Sequence, residues 1–256
     1  MLEENLKNKI VLVTGASAGI GEACARRFGA AGARLILVAR REERLSKLAS
    51  ELPVESYLLP LDVRDRAAVE AGLGSLPENW QAIDILVNNA GLSRGLDRTH
   101  EGDPTDWDEM VDTNIKGLLY VSRAIIPGMV ARGGGHVINI GSIAGREVYP
   151  AGNVYCATKH AVGAITKGMR IDLVDSAVKV TTVDPGLVET EFSLVRFHGD
   201  AERARQAYKG IRPLTGDDVA DAVIWAASRP QHVQIAEVLL FSSDQASSMH
   251  IHRDGE

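Results

Sequence analysis

Residues 10–21, IVLVTGASAGIG, contain the clearest indication of the fold in this sequence. Its first five residues form an apolar run with the length and β-branched character of a buried strand. Gly15, Gly19 and Gly21 follow at once, and residues 21–32, GEACARRFGAAG, have the composition of a helix. A strand, a glycine turn and a helix in direct succession predict the first unit of a parallel α/β sheet.

The same stretch predicts a binding site for a pyrophosphate. Glycines permit a tight turn and close approach of a ligand to the backbone, and the N-terminus of a helix presents N–H groups to an anion. The glycine spacing departs from G-x-G-x-x-G, so the prediction depends on the strand, turn and helix context. Ser17 and Ile20, between the glycines, belong to the predicted site. The alternative is a loop whose small residues serve packing alone.

Six further apolar runs of strand length alternate with helical segments along the chain. Continuous apolar runs are expected of strands that are covered on both faces. The alternation predicts a doubly wound, parallel seven-stranded sheet with helices on both faces, a Rossmann fold, in one domain over residues 1–256. The six runs begin at Arg34, Ser56, Ile83, His136, Lys179 and Glu237.

Two helix starts carry capping signals. Thr105 and Asp108 have the spacing of a capping box at the start of residues 105–126, which predicts one long helix there. The amphipathic segment TGDDVADAVIWAAS predicts a second helix, capped near Thr215 and preceding the last strand.

Composition excludes several classes of protein. The chain has 28 Lys and Arg against 34 Asp and Glu, a net charge of -6, and no dense basic run, so we expect no nucleic-acid partner.

Cys24 and Cys156 are too few for a disulfide framework, which fits a reducing compartment. No apolar run approaches the roughly 20 residues of a membrane span, and the first residues lack a signal-peptide core. His250 and His252 are weak evidence for a metal. We therefore predict a cytoplasmic protein without a metal or membrane site.

The end of the second predicted strand bears on the choice of dinucleotide. An NAD site usually places an acidic residue there to accept the ribose hydroxyls, but this strand ends with Arg40 and Arg41. Guanidinium groups suit a 2′-phosphate because they form bidentate, charge-assisted hydrogen bonds with it. NADP is therefore predicted over NAD. In the alternative interpretation, the arginines begin the solvated face of the next helix and pair with Glu42 or Glu43.

Residues 153–165, NVYCATKHAVGAI, are predicted to form a mostly buried helix with Tyr155 and Lys159 on one face. A nearby cation favours the phenolate and lowers the pKa of a tyrosine, so Tyr155 could transfer protons near pH 7. The alternative is a tyrosine ring in the core beside a lysine that extends to the surface. The motif Y-x-x-x-K is common by chance, so the rest of the chain must decide.

Taken in order, these motifs resemble the short-chain dehydrogenase/reductase family over nearly the whole chain. The matching pieces are TGASAGIG (14–21), LDV (61–63), NNAG (88–91), Asn114, Ser142, Tyr155 with Lys159, and PGLVET (185–190).

The resemblance implies a cofactor site that extends beyond the glycine loop. Residues after the third strand would contact adenine, those after the fourth would steady the central strand and the cofactor ribose, and the loop at 185–190 would line the nicotinamide. The residues concerned are Asp62, Val63, Asn89, Ala90, Gly91, Pro185, Gly186, Val188 and Thr190.

The resemblance also implies a catalytic set. Ser142 would donate a hydrogen bond to the substrate carbonyl oxygen, and Tyr155 would exchange a proton with it. Lys159 would bind the nicotinamide ribose and lower the pKa of Tyr155, and Asn114 would hold a water that links Lys159 to solvent. Taken singly, Ser142 is also compatible with an ordinary turn and Asn114 with a locally satisfied helix residue.

Within the family, the sequence is most similar to NADP-dependent 3-hydroxy acid dehydrogenases acting on serine, allo-threonine and related β-hydroxy acids. The stretches that resemble them are residues 61–70, 83–95, 112–145, 152–159 and 185–200. The similarity implies NADP(H), a small hydroxy-acid substrate such as 3-hydroxypropionate, a lid helix pair in residues 191–210 and a homotetramer. Two alternatives stay open, namely a carbonyl reductase for ketones or aldehydes without a carboxylate and a non-catalytic NADP(H)-binding regulator.

Two arginines are candidate ligands for a substrate carboxylate. Arg146 follows the strand that carries Ser142, and Arg196 lies beyond the loop at 185–190, so either could reach the pocket as a bidentate clamp. The alternative is that each is a solvated surface residue. Arg146 also departs from the pattern expected of the 3-hydroxy acid dehydrogenases, which would permit a shifted substrate range.

Overall fold

The computed structural model describes residues 3–255, and these residues are built around one sheet of seven parallel strands. The spatial order of the strands is β3-β2-β1-β4-β5-β6-β7. The order runs outward in both directions from the β1 and β4 pair, as in a doubly wound fold, which confirms the predicted fold class. The strands are β1 (Ile10–Thr14), β2 (Arg34–Ala39), β3 (Ser56–Pro60), β4 (Ile85–Asn88), β5 (Gly135–Ile140), β6 (Val178–Pro185) and β7 (Glu237–Leu240).

Helices connect the strands and cover both faces of the sheet. They are α1 (Gly19–Ala30), α2 (Glu42–Glu51), α3 (Arg66–Gly74), α4 (Pro104–Val111), α5 (Leu118–Ala131), α6 (Asn153–Asp172), α7 (Phe192–Arg196), α8 (Ala201–Gln206) and α9 (Gly216–Ala227). Short 3-10 turns lie at Glu3–Leu6, Glu78–Trp80 and Ile143–Gly145.

The core lies in two layers, one on each face of the sheet. Val11 and Val13 of β1 pack in the layer that contains residues of α1, α2 and α9. Ile10 and Leu12, the alternate residues, pack in the layer that contains residues of α3 and α5. All four side chains are buried because successive residues of a strand point to opposite faces. This two-sided burial explains why the strands have continuous apolar runs.

The segment predicted as one long helix from Thr105 is different in the structure. Helix α4 begins one residue earlier, at Pro104, and Asp103 is its N-cap, with the carboxylate accepting from the Thr105 N–H at 2.8 Å. The predicted Thr105 and Asp108 capping box is therefore wrong. Proline suits the first helical position because its missing N–H needs no partner, and this places the cap before it. At α9 the prediction is confirmed, since Thr215 and Asp218 form a capping box.

A six-residue π-helical turn, Asp112–Gly117, separates α4 from α5. Turns of this kind are rare and occur frequently at functional sites. Asn114 lies in the turn and is buried. At its end, Gly117 packs so closely on Val63 that an added Cβ would lie 2.7 Å from Val63 Cγ2. The turn thus fixes Asn114 beneath the carboxyl ends of the strands.

Residues 3–255 bear on two predictions made from the sequence, those concerning a membrane span and a metal site. No described helix has the length and apolar character needed to cross a membrane. Within the same range, no group of three or more His, Cys, Asp or Glu side chains is placed to hold a metal ion, and His250 and His252 are exposed. The predicted domain limits at residues 1 and 256 fall outside the described residues.

Candidate active site

A cavity of about 620 Å³ opens at the carboxyl ends of the strands. Ligands bind at this edge in open α/β sheets, beside the point where the strand order reverses. The structure brings most of the predicted site residues to this cavity, whereas Gly21, Asn114 and Arg146 do not line it. Those that line it are Gly15, Ser17, Gly19, Ile20, Arg40, Arg41, Asp62, Val63, Asn89, Ala90, Gly91, Ser142, Tyr155, Lys159, Pro185, Gly186, Val188, Thr190 and Arg196.

The glycine loop forms one wall and exposes the start of α1. Gly15 and Gly19 have φ values of 67° and 57°, in the left-handed region that favours glycine. Ala18 precedes the helix and provides no side-chain cap for its first N–H groups. An uncapped helix N-terminus that faces a cavity is suited to binding an anion.

The loop is fixed to the end of β4. Thr14 Oγ1 accepts from the N–H groups of Asn89 and Ala90 at 3.0 and 2.9 Å, and Asn89 Nδ2 donates to the Thr14 carbonyl at 2.9 Å. Gly21 lies behind the loop, where an added Cβ would be 2.4 Å from Asn89 Nδ2. Gly21 is therefore required for packing, while Gly15 and Gly19 line the cavity.

The two arginines after β2 lie at one end of the cavity. Nε and Nη2 of Arg41 donate to Ser17 Oγ at 3.3 and 3.1 Å, and its Nη1 is 2.9 Å from a carboxylate oxygen of Glu191. Arg40 is half-exposed, with Nη1 3.9 Å from Asp62. Within the described residues neither arginine forms an ion pair with Glu42 or Glu43, the alternative considered from the sequence. Two guanidinium groups beside a hydroxyl suit a phosphate monoester.

Tyr155 and Lys159 lie on the inner face of α6, near the other end of the cavity, and both are buried. Lys159 Nζ donates to the Ile140 carbonyl at 2.8 Å and lies 6.0 Å from the centroid of the Tyr155 ring. Burial lowers the pKa of Lys159 to about 8, and the negative charge of Asp184 opposes that change. The amine is therefore desolvated but still mostly protonated at neutral pH, and it loses its proton more readily than an exposed lysine does.

The phenol of Tyr155 differs from the sequence prediction. Burial raises its pKa well above the ordinary value, and the neighbouring Tyr149 adds to the increase. The charge of Arg196 and the Ser142 hydroxyl act in the opposite direction. The sequence predicts a lowered pKa because of Lys159, but desolvation outweighs the nearby positive charges in this structure. The phenol is therefore protonated at neutral pH.

Ser142 follows β5 and is the N-cap of the 3-10 turn Ile143–Gly145. Its Oγ accepts from the Ala144 N–H at 3.1 Å. Ser142 therefore makes the turn contact that the sequence allowed as the alternative to a catalytic role, but this contact uses only the hydroxyl oxygen. The hydroxyl hydrogen remains available to donate into the cavity that Ser142 and Tyr155 both line.

Asn114 lies behind the cavity wall. Its Oδ1 accepts from the Leu92 N–H at 2.9 Å, and its Nδ2 donates to the Leu92 carbonyl at 2.8 Å and to Thr158 Oγ1 at 3.0 Å. A Cβ added to Gly91 would lie 3.3 Å from Asn114 Oδ1 and 3.7 Å from Lys159 Nζ. The glycine therefore leaves a space between the amide and the ammonium. The water link between Asn114 and Lys159 stays a prediction.

The two candidate carboxylate ligands are placed differently. Arg196 lines the cavity, where Nε donates to Ser93 Oγ at 2.9 Å and Nη2 to Tyr149 Oη at 2.7 Å. Within residues 3–255, no carboxylate forms an ion pair with it, so its charge faces the cavity without a counter-ion. Arg146 instead donates twice to Asp184 and pairs with Glu237. These two carboxylates occupy its guanidinium outside the cavity, so Arg146 is not a candidate substrate ligand.

Some residues of the site were missed from the sequence. Asp184, buried at the end of β6, accepts from Arg146 and from Thr182 Oγ1, and its charge raises the pKa of Lys159. The sequence signal for Asp184 was an acidic residue inside the apolar run that precedes Pro185. Tyr149 and Glu191 lie in loops, and no local pattern marks them. Thr113 Oγ1 is buried without a partner in the described part of the chain, and Thr113 lines the cavity.

Comparison with known proteins identifies the class. The chain belongs to the short-chain dehydrogenase family, since the family model described as short chain dehydrogenase matches residues 9–199. This confirms the resemblance found in the sequence.

Individual relatives are similar over almost their full length. The NADP-dependent 3-hydroxy acid dehydrogenase YdfG of Salmonella typhi is 50% identical over 246 residues, which cover 95% of this chain and 99% of that protein. The NADP-dependent 3-hydroxy acid dehydrogenase of Schizosaccharomyces pombe is 42% identical over 97% of this chain and 98% of its own. A closed form of serine dehydrogenase complexed with NADP+ has a TM-score of 0.92 at 49% identity, over 96% of this chain and 100% of that one.

Proposed function

We propose that the protein is an NADP-dependent oxidoreductase that transfers a hydride between nicotinamide and a 3-hydroxy acid such as serine, allo-threonine or 3-hydroxypropionate. The observation that carries this proposal is the placement of Ser142, Tyr155 and Arg196 around one cavity whose far end holds Arg40 and Arg41. Two similar proteins are named as NADP-dependent 3-hydroxy acid dehydrogenases, which supports the same assignment.

The chemistry of the cavity fits NADP. The uncapped N-terminus of α1 suits a pyrophosphate, and Arg40, Arg41 and Ser17 suit a 2′-phosphate. When bound, the cofactor accepts or supplies the hydride at nicotinamide. The residues that would hold it are Gly15, Ser17, Gly19, Ile20, Arg40, Arg41, Asp62, Val63, Asn89, Ala90, Gly91, Tyr155, Lys159, Pro185, Gly186, Val188 and Thr190.

The chain itself supplies the proton chemistry. In the reduction direction, Ser142 donates a hydrogen bond to the substrate oxygen, which stabilises the negative charge developing there. The Tyr155 phenol then gives its proton to that oxygen, and its raised pKa keeps this proton in place at neutral pH. In the oxidation direction, the phenolate would take the alcohol proton, which requires that the pKa be lowered by the surrounding positive charges.

Lys159 and Asn114 act behind these two groups. The Lys159 ammonium provides the positive charge nearest the carboxyl end of β5, and Asn114 holds the Leu92 backbone at the cavity wall. We propose that the space preserved by Gly91 holds the water through which Lys159 exchanges protons with solvent. In this arrangement, a proton that Lys159 passes on during turnover can be replaced from solvent through that water.

Arg196 provides the preference for an acid. Its guanidinium is fixed by Ser93 and Tyr149 and lies above the Tyr155 ring, so a carboxylate bound to it would sit beside the reacting hydroxyl. In a 3-hydroxy acid, two carbon–carbon bonds separate the carboxyl carbon from the carbinol carbon, which suits this close spacing. A substrate without a carboxylate would leave the Arg196 charge without a partner in a partly closed cavity.

A substrate panel tests the proposal. Purified protein is mixed with NADP or NAD and with 3-hydroxypropionate, serine, allo-threonine or a simple secondary alcohol, and the reduced nicotinamide is followed by absorbance. The proposal expects turnover of at least one hydroxy acid with NADP and a much lower rate with the alcohol. Turnover of the simple secondary alcohol alone would favour a carbonyl reductase acting in reverse, and binding of NADP without turnover of any substrate would favour a regulator.

We further propose a cytoplasmic homotetramer assembled through the long helices that contain or follow Asn114 and Tyr155. Leu119 on α5 and Ile171 on α6 are exposed apolar side chains, and exposed apolar surface is common at subunit contacts. Light scattering of the purified protein would give four times the monomer mass of 27.5 kDa, and a monomer mass would contradict the proposal.

A further inference from the structure

Glu191 immediately precedes α7 and contacts two arginines, Arg41 just before α2 and Arg44 within it. Its Oε2 is 2.9 Å from Arg41 Nη1, and its Oε1 is 2.6 Å from Arg44 Nη1. The residue lines the cavity, and the two guanidinium groups hold the pKa of its carboxyl below the ordinary value against the effect of burial. The carboxylate is therefore ionised at neutral pH and bridges the two arginines.

The contacts of Arg41 divide its guanidinium into two edges. Nη1 is bound to Glu191, whereas Nε and Nη2 both point at Ser17 Oγ on the glycine loop. An arginine binds a phosphate best through two parallel N–H groups on one edge. Because Glu191 accepts from the remaining nitrogen, it holds the Nε and Nη2 edge towards the loop and the cavity.

We infer that Glu191 is a positioning residue for the 2′-phosphate of the cofactor, acting through Arg41. Arg44 fixes one oxygen of the carboxylate, and the other oxygen orients Arg41. The inference rests on the proposed use of NADP. A carboxylate near a phosphate site would ordinarily oppose the phosphate, but here it is neutralised by two arginines and contacts the edge of Arg41 that faces away from Ser17.

The position of Glu191 also connects the two ends of the cavity. Helix α7 begins at Phe192, directly after Glu191, and ends at Arg196, whose guanidinium lies above Tyr155. A helix of five residues therefore joins the residue that orients Arg41 to the residue proposed to bind the substrate carboxylate. Through this helix, the phosphate end and the substrate end of the site are joined by one short element.

Binding of nucleotide fragments tests the inference without turnover. Calorimetry gives the Kd of 2′,5′-ADP, which carries the 2′-phosphate, and of 5′-AMP, which lacks it. Glu191→Ala should weaken the binding of 2′,5′-ADP about tenfold, since a charge-assisted hydrogen bond contributes about 1.5 kcal/mol, while the Kd of 5′-AMP should change less than about twofold. Glu189→Ala, an exposed acid two residues earlier, is the control for net charge and should leave both affinities unchanged.

A double-mutant cycle with Arg41→Met identifies the route of the effect. If Glu191 acts through Arg41, Glu191→Ala should add almost nothing to the loss caused by Arg41→Met. Tighter binding of 2′,5′-ADP by Glu191→Ala would show that the carboxylate competes with the phosphate, and additive losses would show an independent effect. Either result, or no effect of Glu191→Ala, would overturn the inference. If the unmodified protein binds both nucleotides equally, the proposed cofactor is refuted as well, which separates the two failures.

Discussion

Arg196 lies above the ring of Tyr155, with 5.1 Å between the guanidinium carbon and the ring centroid. The guanidinium is held in that position by Ser93 and Tyr149, so its charge is fixed beside the phenol. This relationship places a candidate carboxylate ligand next to the candidate proton donor. The charge of Arg196 also lowers the pKa of Tyr155, against the larger effect of burial.

Replacement of Arg196 should therefore separate substrates by charge. Arg196→Met should raise KM for a 3-hydroxy acid about 30-fold, the effect of losing about 2 kcal/mol of charge-assisted hydrogen bonding. The KM for an uncharged secondary alcohol should change less than about threefold, since that substrate makes no such bond. Arg203→Met is a matched control, because Arg203 stacks on Phe197 and does not line the cavity. An equal increase in KM for both substrates would contradict the role of Arg196 as a ligand for the substrate carboxylate.

Gly91 provides a test of the space between Asn114 and Lys159. In Gly91→Ala the new methyl would lie 3.3 Å from Asn114 Oδ1 and 3.7 Å from Lys159 Nζ, so it would displace a water held there. We expect kcat to fall about tenfold or more, with less than about 1.5 kcal/mol of lost stability. Gly163→Ala on α6, where a Cβ meets nothing within 4 Å, should keep full activity. Full activity in Gly91→Ala would argue against the water link.

Lys159 should reduce the stability of the fold. Burial lowers its pKa from 10.5 to about 8 against the opposing charge of Asp184, and this net lowering corresponds to about 3 kcal/mol of destabilisation at pH 7. Lys159→Met should therefore unfold at a higher temperature than the unmodified protein at pH 7, although its activity is lost. Between pH 8 and 10.5 the unfolded chain binds more protons at this site than the folded protein does, so the stability of the unmodified protein increases with pH. The difference in unfolding temperature between the two proteins therefore narrows. A variant that is less stable at pH 7 would contradict this account.

His136 should make the protein sensitive to acid. Its ring is buried with Nε2 2.8 Å from Thr181 Oγ1, and burial, with a smaller effect from Lys179, lowers its pKa from 6.5 to about 3. Between those values the unfolded state binds more protons, so stability falls as the pH decreases from 6.5 towards 3. The urea midpoint of His136→Gln should fall less from pH 7 to pH 4 than that of the unmodified protein. Replacing the exposed His232 by Gln should change nothing, and parallel curves for all three proteins would refute the assignment.

The elements of the fold could be predicted from the sequence because their signals are local. Each of the seven apolar runs became a strand, and Thr215 caps α9 as its spacing indicated. The start of α4 was misjudged because the Asp103 cap lies before a proline, and a pattern based on Thr105 overlooks it. The sequence analysis found no signal for the π-helical turn at Asp112–Gly117, where Gly117 packs closely against Val63 from a distant part of the chain.

The sequence predicts a site residue best where the local backbone conformation requires that residue type. Gly15 and Gly19 could be placed because their backbone angles require glycine. The partners of an arginine depend instead on contacts between distant parts of the chain, so the sequence could not tell that Arg146 pairs with Asp184 while Arg196 faces the cavity. The direction of the Tyr155 pKa depends on burial, which no spacing of Tyr and Lys reports.

The central claim is that the Tyr155 hydroxyl exchanges the proton of the reacting oxygen. Tyr155→Phe removes only that oxygen and keeps the ring, whose centroid lies 5.5 Å from that of Phe192. The most direct measurement compares kcat/KM for a hydroxy acid with the Kd of NADPH in this variant. The account predicts a loss of about 10³-fold in kcat/KM with NADPH affinity within about threefold of the unmodified protein. Retained turnover with intact cofactor binding would contradict it.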